Sequence, residues 1–305
     1  MNSALFVFLY LIVTLNALAQ DKKIWKPGAA DVLFSSSREG NSEVYLQRAG
    51  QKKWINLTNH KAGDNWPVWS HDGTRIAFQS TRDGKLDIWT MNADGSDQRR
   101  LTDHPEPDYL PAWSPDGKSI TFTSWRTESA DEKRAPHIYI MNADGSGQRR
   151  LIQESLNTSD GASWDPSGRR IVYARKGKKG ADIYSAASDG TDERQLTFDD
   201  EQDIYNGAPT YSPDGSMIAF YSSTEAKSVL TVMNSDGTGR RTLLDKGQNW
   251  YPRWSPDGKW IIYTAGVGGD VGHIDIFAIK LEGKTRPVLL VGGPDREQEG
   301  SWKPR

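Results

Sequence analysis

Five copies of one short pattern govern what this 305-residue chain can fold into. They are Trp69-Ser70-His71-Asp72-Gly73, Trp113-Ser114-Pro115-Asp116-Gly117, Trp164-Asp165-Pro166-Ser167-Gly168, Tyr211-Ser212-Pro213-Asp214-Gly215 and Trp254-Ser255-Pro256-Asp257-Gly258. A truncated sixth copy, Trp302-Lys303-Pro304, lies at the C-terminus. From one leading aromatic to the next the intervals are 44, 51, 47, 43 and 48 residues. That period is the length of a four-stranded propeller blade. It also accounts for much of an unusual content of 12 Trp.

The same signals follow each copy in the same order. Proline at the second and glycine at the fourth position of Ser-Pro-Asp-Gly favour a type I turn, which joins two antiparallel strands. Apolar triplets such as Ile76-Ala77-Phe78 and Ile120-Thr121-Phe122 predict the second strand, and Asp87-Ile88-Trp89 or Asp182-Ile183-Tyr184 the third. The Asp-Gly of Asn92-Ala93-Asp94-Gly95 and its equivalents suits the positive φ of a tight hairpin. A fourth strand carries Arg99-Arg100-Leu101, Arg149-Arg150-Leu151 and Arg240-Arg241. Charge on an outermost strand blunts an exposed edge. Residues 31–58 hold another copy of the later strands, which brings the count to six blades. Either Trp25-Lys26-Pro27 or Trp302 could supply the innermost strand of that first blade. Trp302 is favoured, because joining the last segment to the first closes the ring and hides both edges. The expected fold is therefore all-β: a six-bladed propeller of four-stranded antiparallel blades over residues 31–305.

Composition excludes several other classes. Basic and acidic side chains number 38 and 40, for a net charge of -2, so nothing drives the chain toward nucleic acid or an anionic membrane. There is no cysteine, so neither a disulfide framework nor a lipid-anchoring cysteine is available. Leu5 to Leu15 form an apolar run that ends in Ala17-Leu18-Ala19, the shape of a Sec-type secretory signal over residues 1–19. After its cleavage no apolar run approaches the ~20 residues of a membrane span. A monomer in the periplasm or secreted is expected, with residues 20–30 as a short segment before the propeller.

The repeat Trp-Ser-Pro-Asp-Gly, Ile-x-Phe, Asp-Ile-Tyr, Asn-Ala-Asp-Gly, Leu-Thr resembles that of TolB-type six-bladed propellers, the periplasmic component of the Tol–Pal envelope system. Gly300-Ser301-Trp302-Lys303-Pro304 is similar to that family's closing strand. The resemblance covers roughly 31–305. It implies a non-catalytic module that docks a protein partner, such as the peptidoglycan-associated lipoprotein Pal, across the propeller mouth. TolB proteins carry an α/β domain before the propeller, and here only residues 20–30 precede it. Contacts made through that domain, TolA among them, are not carried over. Similar repeats occur in oligogalacturonate lyases, so a periplasmic polysaccharide lyase is the alternative, with a glycan-binding propeller as a second.

Candidate chemistry is sparse. No phosphate loop, nucleophile elbow or helical zinc motif occurs, and no catalytic or metal-ligating residue is assigned. His60 and His104 share one register and are expected to cap turns, while His71 and His137 are expected to be structural. Arg38, Arg82 and Arg126 each stand four residues after a phenylalanine and are expected to pair with a neighbouring acid. Counting each pattern aromatic as position zero, Asp64, Asp108, Asn206, Asn249 and Glu297 occupy position −5, with Asp160 at −4 of its copy. Aromatics stand beside them: Trp66, Tyr109, Trp250 and Tyr251. Together these ten residues are the expected partner-binding rim of the channel mouth, because aromatic anchors within polar residues compose recognition surfaces. The carboxylates also suggest a Ca2+ ion there.

Overall fold

The computed structural model describes residues 29–304, apart from 130, 155–160, 200–201, 268–269 and 283–285; the side chains of 267 and 270–273 are likewise left aside. The expected secretory signal, Trp25 and Asp160 lie outside the described residues. Among the described residues there are twenty-four strands. β1 (Val32–Ser36), β2 (Glu43–Gln47) and β3 (Trp54–Asn56) form the first unit. β4 (Asp64–Trp69), β5 (Arg75–Ser80), β6 (Asp87–Asn92) and β7 (Arg99–Arg100) form the second. β8 (Asp108–Trp113), β9 (Ser119–Ser124), β10 (His137–Asn142) and β11 (Arg149–Arg150) follow as the third.

Next comes an eight-stranded sheet that is two four-stranded halves. β12 (Ser163–Trp164), β13 (Arg170–Lys176), β14 (Ala181–Ala187) and β15 (Arg194–Gln195) make one half. β16 (Tyr205–Tyr211), β17 (Met217–Ser223), β18 (Ser228–Asn234) and β19 (Arg241–Leu244) make the other. A single parallel pairing, Ala181 with Tyr205, joins them. The last unit is β20 (Asn249–Trp254), β21 (Trp260–Val267), β22 (Asp270–Lys280) and β23 (Val288–Val291). β24 (Glu297–Trp302) then completes the first unit by pairing antiparallel with β1, Trp302 opposite Val32. Trp302, then, supplies the strand beside β1.

Turn chemistry explains the hairpins. In the pattern turn Ser114 Oγ donates to Asp116 at 2.6 Å, Asp116 accepts from Lys118 N, and Gly117 adopts φ 68°. The second turn of that unit ends on Gly145 at φ 91°, where a Cβ would stand 2.8 Å from the Leu101 carbonyl of the preceding unit. Glycine there permits both the conformation and the close approach. The Leu-Thr of a fourth strand serves the third. Thr102 Oγ1 accepts from Ile88 N at 3.0 Å, and Thr197 Oγ1 accepts from Ile183 N at 2.9 Å and donates to Asp182 at 2.7 Å.

The core lies between units rather than within them. Ala77, Ile88, Trp113, Phe122 and Tyr139 form one cluster shared by the second and third units. Phe34, Tyr45, Ile262, Ile276 and Trp302 join the first unit to the last. Second strands are buried on both faces, since a neighbour covers each. At the centre β24 touches β4 and β20, and β8, β12 and β16 continue the chain of contacts between innermost strands.

Candidate functional site

The innermost strands are bulged. β4, β8, β16, β20 and β24 all slip register against their partner strands near position −3. There Trp66, Leu110, Ala208, Tyr251 and Glu299 take φ between 47° and 62°. Proline follows four of them, at Pro67, Pro111, Pro209 and Pro252, and it has no N–H to leave unpaired at a bulge. An inserted residue re-aims the side chains beyond it.

Beyond the bulge all six innermost strands line one cavity of about 430 Å³. Its wall is the ring of pattern aromatics, Trp69, Trp113, Trp164, Tyr211, Trp254 and Trp302. A second ring comes from the turns two residues on: His71, Pro115, Pro166, Pro213, Pro256 and Pro304. Position −1 contributes Val68, Ala112, Ser163, Thr210, Arg253 and Ser301. Arg253 carries the one permanent charge of the described lining, which includes no carboxylate. Its Nη1 donates to the Pro252 carbonyl at 3.0 Å.

Trp66 lines the cavity at the −3 level, where its ring meets Tyr251 edge to face at 4.6 Å. β4 and β20 both neighbour β24, so the ring contact reaches past that one strand. Tyr221 continues the aromatic row beyond Tyr251, at 6.1 Å. Between them Glu299 accepts from Ser35 Oγ at 2.6 Å and from Trp66 N at 2.8 Å. Burial pushes the Glu299 carboxyl up to about 7, against these hydrogen bonds and the field of Arg253.

The polar members of the expected rim lie beneath the surface. Asp64, Asp108, Asn206, Asn249 and Glu297 are all buried. Asp64 pairs with Arg82 at 2.7 Å and Asp108 with Arg126 at 2.5 Å. Asn206 accepts from Ser222 Oγ at 2.6 Å, Asn249 donates to the Ser228 and Lys246 carbonyls, and Glu297 accepts from Ser36 Oγ at 3.2 Å. Desolvation raises the Asp108 and Glu297 carboxyls, so these groups stand where water is largely excluded. The acid expected beside Arg82 and Arg126 thus proves to be the −5 carboxylate of the same unit. A guanidinium already faces Asp64 and Asp108, a donor set that does not fit a Ca2+ ion. Tyr109 is buried, its hydroxyl accepting from Trp125 Nε1 at 3.0 Å, while Trp250 and Tyr251 are half-buried.

His60, His104 and His137 behave as expected, whereas His71 is exposed in the cavity lining. His60 and His104 each accept through Nδ1 from the backbone N two residues on, at 3.1 Å. His137 is buried beside Glu132 at 3.3 Å, and burial lowers its pKa. Among the described residues no three His, Cys, Asp or Glu side chains gather as a metal site. In the charged insertion Glu132 is held by Arg150, which donates to it at 2.6 and 3.0 Å. What the sequence missed was the cavity wall, since the pattern aromatics and prolines had structural roles to explain them. The available signal was Arg253, a lone arginine where the other copies have Val, Ala, Ser, Thr or Ser.

Comparison with known proteins agrees with this geometry. The family described as the TolB beta propeller domain matches residues 21–130 and 108–305. A Geobacter sulfurreducens protein named Tol-Pal system protein TolB is 37% identical over 86 residues, 28% of this chain and 19% of the relative. An uncharacterized Agrobacterium fabrum protein is 28% identical over 149 residues, 46% of this chain and 50% of its own length. The chain therefore spans half or less of the curated relatives it matches. The crystal structure of TolB from Acinetobacter baumannii superimposes with a TM-score of 0.78 at 18% identity, covering 96% of this chain and 70% of that one. An oligogalacturonate lyase in complex with manganese gives 0.58 at 15%, covering 82% and 71%.

Proposed function

The chain belongs to the TolB beta propeller domain family, and from that premise we propose that it is a non-catalytic, protein-binding propeller of six blades, its ring closed by the C-terminal strand. The pairing of β24 with β1 and the cluster shared by first and last units support the closure. One observation carries the binding role: a preformed cavity on the axis, walled by aromatic rings contributed by all six innermost strands. Concave, largely apolar sites with few polar groups are typical binding sites. Trp66, Trp250 and Tyr251 are the expected rim residues that this reading retains as partner contacts. Asp64, Asp108, Asn206, Asn249 and Glu297 hold the wall behind them.

The protein acts as a monomer in the periplasm or outside the cell, in a Tol–Pal-type envelope system, with a Pal-like lipoprotein as partner. The apolar run at residues 5–15 supports export, and no described helix is long and apolar enough to cross a membrane. A lyase activity has weaker support, since the likeness to the manganese-bound lyase shows fold alone and no donor cluster accompanies it among the described residues. A glycan platform would need flat, solvent-facing rings, whereas Trp66 stands edge-on to Tyr251. The test is affinity capture from envelope extracts. Wild-type protein should retain a partner that the doubly substituted Trp66→Ala, Trp250→Ala protein loses while keeping its fold. Equal capture by both would overturn the assignment, and unfolding of the variant would make these rings core.

A further inference from the structure

We infer that residues 22–27 of this chain occupy its own central cavity, and that a partner gains the cavity by displacing them. Ile24 and Trp25 lie against the pattern aromatics, with Lys22, Lys23 and Lys26 on carboxylates of the surrounding turns. The displacement rests on the protein-binding reading; the seat itself does not. The described chain begins beside the cavity wall. Trp302 and Pro304 line the cavity, and Lys303 N between them donates to the Asp31 carbonyl at 2.9 Å. Ala30 packs against the cluster that holds Trp302. Trp25 stands five residues before Ala30, a stretch that spans about 17 Å when extended. Between them Pro27-Gly28 is a turn-forming pair, which lets the chain fold back over the ring.

Trp25 has lost the strand position its register would fill. Trp25-Lys26-Pro27 repeats Trp302-Lys303-Pro304, and β24 already stands beside β1. Burying the apolar pair Ile24-Trp25 is favourable, and the aromatic wall is an apolar surface within reach. A volume of about 430 Å³ falls within the roughly 300–1,000 Å³ of small-ligand sites, room for a few side chains and not for a folded domain. Charge agrees. One residue past the lining His71, Pro115, Pro213 and Pro256 stand Asp72, Asp116, Asp214 and Asp257. Hydrogen bonds from Ser70, Ser114 and Ser212 hold the first three carboxyls below the usual range, so they stay ionised. None of the four is in an ion pair among the described residues. The three lysines around Ile24-Trp25 are their complement. So short a tether gives an effective concentration in the millimolar range, and modest affinity then suffices to fill the site.

The chain has no cysteine, so introduced pairs can be trapped as disulfides without competition. In the chain expected after signal cleavage, Asp21→Cys combined with Pro213→Cys should close an intramolecular disulfide under mild oxidant. Adding Ile24→Ala and Trp25→Ala should slow that closure about tenfold or more while the circular dichroism of the propeller is kept. Raising the salt concentration should slow it as well, because the lysine contacts are exposed. Closure that is absent, or that the alanine pair leaves unchanged, overturns the inference. In envelope extract the Ile24→Ala, Trp25→Ala protein should capture severalfold more partner than wild type; equal or weaker capture overturns the displacement. If neither protein captures a partner while closure still depends on Ile24 and Trp25, the protein-binding reading fails and the seat stands.

Discussion

Two stretches of the same six strands, only a few residues apart, solve opposite problems. At position −5 the polar groups are sealed: Asp64 and Asp108 each face one arginine, and Asn206, Asn249 and Glu297 spend their bonds on neighbouring strands. From −1 to +2 the side chains are mostly apolar and surround a cavity. A buried carboxylate must be paired, because an unpaired one is costly to desolvate. An apolar wall carries no such demand and can be left facing open space. The polar end therefore holds the strands, and the aromatic end is free to bind.

That contrast can be broken in graded steps. The largest effect should come from deleting residues 298–305, which removes most of β24 and the buried Trp302. Loss of a core tryptophan alone costs roughly 3–5 kcal/mol, so the melting temperature by circular dichroism should fall steeply. An unchanged melt would refute closure by β24. Next, Asp108→Ala should destabilise by about 3 kcal/mol or more, since it strands the mostly buried Arg126. Coupling Asp108→Leu with Arg126→Met should recover most of that loss in denaturant titrations. If the single variant is silent, the −5 groups are not holding the wall.

A third, comparable step concerns pH. The folded protein holds the Glu299 proton up to about 7, above the ordinary glutamate value near 4.3. The native state therefore binds this proton more tightly than the unfolded chain does. Its contribution is complete below about pH 4 and is lost as pH rises toward 7, on the order of 3 kcal/mol. Relative to Glu299→Gln, wild-type protein should lose melting temperature across that interval; parallel profiles would contradict the buried acid. The smallest stability change should follow Trp66→Ala, roughly 1–2 kcal/mol because the ring is only half-buried. It should nonetheless abolish most partner capture, and intact capture would separate this ring from binding.

The blade grammar was legible in the sequence because it is written several times over. Turn, strand and Leu-Thr signals recur at one spacing, and even the contest between Trp25 and Trp302 could be framed before β24 was seen beside β1. The site was less legible, for two physical reasons. Strand alternation predicts which side chains share a face only while register holds, and the bulge at −3 shifts that parity by one residue. The −5 polar residues that the sequence suggests for an open mouth are buried. Pairing is the second reason. Arg82, Arg126, Asp64 and Asp108 all stand out in the sequence, yet nothing in one dimension shows that a carboxylate meets a guanidinium 18 residues away.

The central claim is that a protein partner engages the aromatic-walled cavity on the axis. A photo-cross-linking amino acid placed at the exposed Pro213 tests it directly in envelope extract, with the same probe at Phe198, an outer residue 71% exposed, as the comparison. The account predicts a discrete protein adduct from position 213 and none from 198. No adduct at 213, or the same adducts from both positions, would contradict it.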